Sequence, residues 1–468
     1  MKSKFHAIAP RVEGAGRLTG ATARVLGWAA GTFYDVERLG PPIPGGPVLV
    51  VANHPNVFLD AFVVFRATGR PARPLALASH FENPFYGPFL RALGGLPVHR
   101  RQEDPSLMHR NEDTFRAAVA ALHAGDAVQI YPEGRSHSEP SLAPLRTGAA
   151  RIALRAESEA GWDLGLRVVP VGLTYTRKSF FRGRAAAAVG EPFGVACFAD
   201  AYAADPTAAV RTLTDEIADR LEAVTLNLAE AEDFDLVETA ERLYAREKGW
   251  VGWREREGLG ERLPRLQAFA RGLAWLRAHD PGRHRRIARS VRRYGQLRDL
   301  LEAGEADVPP RYEAAGVARY ALREGALLLL GLPFAALGIA AWWLPYLVPR
   351  LVVRFARPQS QAVATYKLAG AMAVLPLWYV GLVLLLGWRI GPAAAAVGAA
   401  ILPLAGLFAL VWTGRWERVR EDSLLFLRIM GRPRERDRLA GHRARLAAEF
   451  DAVLRDSDGK RRDSSAPR

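Results

Sequence analysis

Apolar and polar positions change rhythm several times along the chain. Val48 to Ala52 is an unbroken apolar run rich in β-branched residues, the signature of a strand buried on both faces. Similar runs predict strands at 47–52, 75–78, 127–131 and 166–173, and Asp35 to Gly40 reads as a short strand before them. Between them, three- and four-residue spacing predicts helices at 57–66, 84–93, 112–124, 148–157 and 207–228. In the last of these, Val210, Leu213, Ile217, Leu221, Val224 and Leu228 fall on one face. Strands alternating with helices give an α/β domain over residues 48–230. Ahead of it, residues 1–47 form an N-terminal amphipathic segment and lead-in strand, expected to pack on the domain rather than on a membrane. From 231 to 323 the pattern turns helical and charged, with helices predicted at 264–279 and 284–301.

Residues 324–413 follow a third rhythm. Leu368 to Trp388 and Pro392 to Trp412 are free of charge, each about the 20 residues that cross a bilayer core. Leu327 to Val348 is equally apolar but is interrupted by Gly331, Pro333 and Pro345. Arginines flank all of these segments: Arg319 and Arg323, then Arg350, Arg354 and Arg357 with Lys367, then Arg415, Arg418 and Arg420. By the positive-inside rule all three flanks are cytoplasmic. The expectation is a transmembrane hairpin of 368–388 and 392–412, with 327–348 re-entrant or interfacial. The chain is then integral to the cytoplasmic membrane, with the α/β domain and both termini on the cytoplasmic side. Residues 414–468 are read as a basic tail with a disordered end.

Charge narrows the partners. The 468 residues carry a formal net charge of +15, so the ligands are expected to be anionic. A dense arginine cluster between Arg283 and Arg293 lacks the aromatic platforms and motifs of nucleic-acid readers, so a solvated face near anionic lipid is the better reading and no nucleic acid is expected. The single cysteine, Cys197, excludes an internal disulfide and a thiolate-rich zinc site. No metal or cofactor is called for.

Four stretches carry candidate chemistry. Asn53-His54-Pro55 breaks the first strand, and Asp60 follows; a base and an orienting carboxylate belong at such a strand-to-helix turn, although Asn and Asp there also suit plain capping. Gly94 to Arg101 is an apolar strand ending in Arg100 and Arg101. Tyr131 to Pro140 contains Glu133, Gly134, Arg135, Ser136 and His137, a loop whose amides and guanidinium suit a phosphate. Val168 to Tyr175 is a strand whose Pro170 restricts it to an edge or a special bend.

Taken in order, these stretches resemble the four motifs of the PlsC-type glycerolipid acyltransferases, over roughly residues 20–230. Two departures from the usual pattern, five residues between His54 and Asp60 and a Pro-Glu-Gly-Arg-Ser-His loop, look like the fungal and bacterial glycerol-3-phosphate and dihydroxyacetone-phosphate acyltransferase branch. The resemblance implies a mixed sheet flanked by helices. It implies transfer of a fatty acyl group from acyl-CoA or acyl-carrier protein to a hydroxyl of glycerol-3-phosphate or 1-acylglycerol-3-phosphate, beside membrane lipids. His54 would be the general base and Asp60 its orienting carboxylate. Asn53, Arg100, Glu133, Gly134, Arg135 and Ser136 would form the substrate-binding set, with Arg100 and Arg135 on the acceptor phosphate, Ser136 a further donor to it, Glu133 and Gly134 shaping the loop and Asn53 holding the turn. Other lysophospholipids as acceptors, or an inactive lipid-binding relative, are the alternatives. On an unbroken helix six residues advance about 600°, so His54 and Asp60 can meet only if His54 precedes the helix.

Overall fold

The computed structural model describes residues 17–83, 87–99, 111–176, 178–252, 257–300, 314–430 and 433–464. Two compact units emerge. The first comprises residues up to Asn227 together with Gly258–Leu263 and Arg357–Leu368; the remainder forms the second.

The first unit opens with α1 (Arg17–Phe33) and β1 (Tyr34–Leu39), followed by β2 (Val48–Ala52) and α2 (Phe58–Thr68). Next come β3 (Arg73–Leu77), α3 (Ala78–Glu82), α4 (Gly87–Ala92), β4 (Leu96–Val98), α5 (Asn111–His123) and β5 (Ala127–Ile130). It closes with α6 (Gly148–Glu159), β6 (Arg167–Tyr175), β7 (Gly183–Val189), β8 (Phe193–Gly194), α7 (Ala199–Ala204) and α8 (Pro206–Val224). The strands form one mixed sheet in the order β1-β7-β6-β2-β5-β3-β4, with β8 also on β6. Every residue of β2 is buried, as befits a strand with parallel neighbours on both sides and helices over both faces. Its apolar run therefore ends in the middle of the sheet, at Asn53 and His54.

Two expectations change here. β6 is interior, not an edge: it pairs with β2 from Arg167 to Val171, with β8 at Arg167 and Val168, and with β7 from Val171 onward. Pro170 falls where the β8 ladder has ended and the β7 ladder has not begun, so its missing N–H costs no strand bond. The lead-in strand set apart at 1–47 is integral to the domain, because β1 pairs in parallel with β7 along its whole length. α1 buries Ala23, Leu26, Ala30 and Phe33, and packs on the domain as its pattern suggests.

α8 shows how locally the helix ends are written. Asp205 accepts from Thr207 N and Ala208 N, Pro206 opens the first turn, and Ala209, Leu213, Ile217 and Leu221 bury one stripe.

The second unit contains α9 (Asp233–Glu247), α10 (Leu259–His279, whose first turn belongs to the other unit) and α11 (Pro281–Leu300). It continues with α12 (Ala314–Ala356), α13 (Val363–Arg389, likewise beginning in the other unit), α14 (Pro392–Met430) and α15 (Pro433–Ser464). Three helices are long and apolar enough to cross a membrane: Ala315–Ala356, Ser360–Arg389 and Pro392–Leu427. The re-entrant form expected for 327–348 is replaced by continuous helix, since α12 passes through Pro333, Pro345 and Pro349 without reversing. α12 and α14 run antiparallel: Glu324 pairs with Arg415 at 2.6 Å, and Trp342 Nε1 donates to Leu402 O at 2.9 Å. Gly338 lets them close, since a Cβ there would stand 2.1 Å from Ala405 O. The tail expected to end in disorder is α15 through Ser464, docked on α9 and α11; residues 465–468 lie outside the described residues.

Candidate active site

The site gathers where β2 ends and α2 begins. α2 starts at Phe58, so His54 stands in the turn before the helix and Asp60 in its first turn. The extra residue of spacing is absorbed by Asn56 and Val57 rather than by helix. Val57 takes φ 43°, a conformation that costs a β-branched residue about 1–3 kcal/mol. It is held by Val57 N donating to Ser136 Oγ at 3.1 Å and by Asp60 N donating to Val57 O at 3.3 Å.

That bend brings His54 Nδ1 to 2.9 Å from Asp60 Oδ2. Asp60 is fully buried, and a carboxylate there needs donors on every side. It has them: Asn56 N donates to Oδ2 at 2.7 Å and Tyr175 Oη to Oδ1 at 2.6 Å. With Nδ1 facing the carboxylate, the tautomer is fixed with the proton on Nδ1 and the lone pair on Nε2. Among the described residues no group hydrogen-bonds Nε2. The imidazole lies flat on Tyr131, ring centroids 3.8 Å apart at 13°. Burial first, and Asp60 second, push the Tyr131 and Tyr175 hydroxyls well above the usual phenol range, so both remain protonated.

The Glu133 loop braces the histidine from behind. His54 N donates to Glu133 Oε1 at 2.9 Å, while His54 O accepts from Ser136 Oγ at 2.8 Å and from His137 N at 3.1 Å. Glu133 Oε2 takes Ala143 N at 2.8 Å and pairs with His137 Nε2. Asn53 locks the end of β2 to β6, with Nδ2 donating to Leu173 O at 3.0 Å and Leu173 N donating to Oδ1 at 2.6 Å.

The substrate-binding expectations therefore divide. Asn53 and Ser136 bond to backbone, and Glu133 to backbone and to His137, so all three hold the turn. Gly134, at φ 70°, lets Arg146 lie across it; a Cβ there would stand 2.5 Å from Arg146 Nε. Arg135 is exposed at the loop rim and pairs with Glu139 at 2.6 Å. Arg100 lies outside the described residues. Sequence reasoning missed Tyr34, Tyr131, Tyr175, Arg146 and Lys178. Tyr34 Oη accepts from Asn56 Nδ2 at 2.7 Å and donates to Lys178 O. Lys178 Nζ reaches Pro55 O at 3.5 Å, and its burial lowers its pKa against the opposing pull of Asp60. The three tyrosines carried one sequence signal, an aromatic beside a predicted strand, and Arg146 and Lys178 carried none.

Among the described residues no group of three or more His, Cys, Asp or Glu side chains could hold a metal ion. The chemistry available is that of an oriented imidazole base with cations nearby.

Comparison with known proteins identifies the domain that holds these residues. Residues 33–174 match the family model described as Acyltransferase, and so form an acyltransferase-family domain. Glycerol-3-phosphate O-acyltransferase 2 of Saccharomyces cerevisiae is 36% identical over 135 residues, 29% of this chain and 18% of that protein. The 1-acyl-sn-glycerol-3-phosphate acyltransferase of Bacillus subtilis is 29% identical over 122 residues, 25% of this chain and 53% of that protein. The crystal structure of the 1-acyl-sn-glycerophosphate acyltransferase PlsC of Thermotoga maritima aligns with a TM-score of 0.31 at 18% identity, over 44% of this chain and 77% of that one. The matched stretches thus span from about a fifth to about half of the two curated relatives' lengths.

Proposed function

We propose that this chain, built around an acyltransferase-family domain at residues 33–174, transfers a fatty acyl group from a thioester to a hydroxyl of glycerol-3-phosphate or 1-acylglycerol-3-phosphate at a membrane. The observation that carries the reading is the His54–Asp60 pair. Its carboxylate is satisfied on both oxygens, and its imidazole keeps one unbonded nitrogen.

In this reaction the acceptor O–H gives its proton to His54 Nε2 as its oxygen attacks the thioester carbonyl carbon. Asp60 stabilises the imidazolium, as the carboxylate of a hydrolase triad does. When the tetrahedral intermediate collapses, the C–S bond breaks and the imidazolium returns the proton to the leaving thiolate. No acyl-enzyme forms, because the acceptor is the nucleophile. Arg146, Arg135 and Lys178 are the described cations around the His54 loop, and with Arg100 they are assigned to the acceptor phosphate. The donor is acyl-CoA or acyl-carrier protein, both anionic and suited to a chain of net charge +15. The apolar helices support a reaction at the membrane that receives its lipid product, and the arginine-rich flanks support a cytoplasmic catalytic domain and termini.

The test is direct. Purified full-length protein is incubated with labelled acyl-CoA and, separately, glycerol-3-phosphate, dihydroxyacetone phosphate and 1-acylglycerol-3-phosphate. Transfer to at least one acceptor, abolished in His54→Ala and Asp60→Asn proteins that keep their fold, is the expected result. Undiminished transfer by His54→Ala would falsify the mechanism.

A further inference from the structure

The acyl-transfer reading makes no use of the arginines that begin α11. They line a cavity of about 780 Å³ within the second unit, between the start of α9, the end of α10 and α11. Arg285, Arg289 and Arg292 recur at four- and three-residue spacing on one helix face, and Arg286 lines the same cavity. Leu236 and Ala288 supply apolar wall.

Charge in this cavity is unbalanced. Its two carboxylates are both engaged by Arg277, which reaches both oxygens of Asp233 at 2.9 Å and Glu230 at 3.6 Å. Among the described residues no carboxylate pairs with Arg285, Arg286, Arg289 or Arg292. Arg285 Nε and Arg289 Nε reach only backbone carbonyls one turn back, at 3.3 Å each. His284 faces the cavity with a buried Nε2 that has no hydrogen-bond partner. Burial first, then Arg277, lowers its pKa and keeps the ring neutral near pH 7.

Four guanidinium groups sharing one concavity repel one another, and a buried imidazole nitrogen without a partner carries a desolvation cost. One multivalent anion relieves both. Guanidinium forks match phosphate oxygens in pairs, and the cavity falls within the roughly 300–1,000 Å³ of small-ligand sites. No Phe, Tyr or Trp lines it, so it lacks the stacking platform of a nucleic-acid groove.

We propose that this cavity is a phosphate-binding site, separate from the acyl-transfer centre, which takes a phosphomonoester or diphosphate group on Arg285, Arg286, Arg289 and Arg292 with His284 as an additional hydrogen-bond partner. The phosphate comes either from a soluble ligand or from an anionic lipid headgroup, and the chemistry of recognition is the same.

Full-length protein in phosphatidylcholine nanodiscs is titrated with inorganic pyrophosphate. In a second arm it is placed in nanodiscs containing phosphatidate without pyrophosphate. Hydrogen exchange of the α11 amides reads both arms, and calorimetry gives the pyrophosphate Kd. Saturable protection by pyrophosphate supports the site and marks a soluble ligand; protection only by phosphatidate supports it and marks a headgroup. In the responding arm, Arg286→Gln with Arg289→Gln weakens the response about tenfold or more, while exchange in α9 and α10 stays at the wild-type rate. Glu230→Gln, a change at an exposed wall residue, strengthens it. Absence of protection in both arms, equal protection by sodium chloride at matched ionic strength, or a response indifferent to both sets of substitutions overturns the proposal.

Discussion

Tyr175 and His54 hold opposite oxygens of one buried carboxylate: Tyr175 Oη donates to Asp60 Oδ1 at 2.6 Å, and His54 Nδ1 meets Oδ2 at 2.9 Å. The tyrosine lies 115 residues after Asp60, on the strand beside β2. It fixes the carboxylate plane and so the direction of the imidazole. Tyr175→Phe removes that donor and nothing from the substrate. The expected result is a turnover about tenfold lower, equivalent to roughly 1.4 kcal/mol, with KM for the thioester unchanged. Steady-state kinetics checks this, and a wild-type kcat would remove Tyr175 from the machinery.

Val57 stores backbone strain in the segment that lets His54 and Asp60 meet. Val57→Gly relieves it, since glycine adopts positive φ freely. Differential scanning calorimetry of the variant is expected to show equal or greater stability, and the acyl-transfer assay a lower kcat as the bend gains freedom. A variant both less stable and fully active contradicts this account.

Arg146 crosses Gly134 beside the His54 loop, and its side chain is exposed. Arg146→Gln should therefore leave folding intact and raise KM for the phosphate acceptor about tenfold, the loss of one charge-assisted contact. The thioester KM should not move. Equal effects on both substrates would place Arg146 elsewhere in the reaction.

How much of this was legible beforehand depends on the distance each interaction spans. β2, β5 and the buried face of α8 could be read because their signals are local apolar runs and periodicities. β7 could not: Ala185 to Ala188 carries the best helix former four times, and only pairing between β1 and β6 makes it a strand. His54 and Asp60 were found as residues, and the requirement that His54 precede the helix is met at Phe58. The roles of Glu133, Ser136 and Asn53 came only from the family resemblance, because their partners His54, Val57 and Leu173 lie 79 to 120 residues away on other segments. A carboxylate in a cationic loop reads as a ligand group until the backbone amides it accepts from are known.

Asp451 docks α15 onto α9, and its acidity gives the contact a pH window. Lys248 first, then Tyr244, hydrogen-bonds its carboxylate and lowers its pKa below the usual Asp value. Burial pushes the Tyr244 hydroxyl up to about 12, so it remains a donor. A carboxyl whose folded pKa is depressed adds stability that is full above its unfolded pKa, about 3.9, and is lost as pH falls through the lower folded value. Hydrogen exchange in α15 should rise below about pH 4 in the wild type. Asp451→Asn should start higher and show no such step, and identical profiles would refute the docking role.

The contact between α9 and α15 also constrains how the chain meets a membrane. α9 precedes all three candidate spans and α15 follows them, yet Tyr244 Oη donates to Asp451 at 2.7 Å and Lys248 Nζ reaches it at 2.7 Å. Helices that touch this way lie on one side, so the intervening chain crosses an even number of times. Residues 357–368 belong to the first unit, where Lys367 Nζ donates to Ser179 O at 2.6 Å. The arginine-rich flanks favour α13 and α14 as the two crossings, and the antiparallel packing of α12 on α14 makes α12 the rival crossing that labelling decides. With Cys197 replaced by serine, Ile390→Cys at the turn between α13 and α14 is expected to react with an impermeant thiol reagent applied to intact cells. Ser360→Cys and Arg455→Cys are expected to react only after the membrane is opened. Labelling of Ser360→Cys from outside would make α12 a crossing helix and detach residues 357–368 from the catalytic unit.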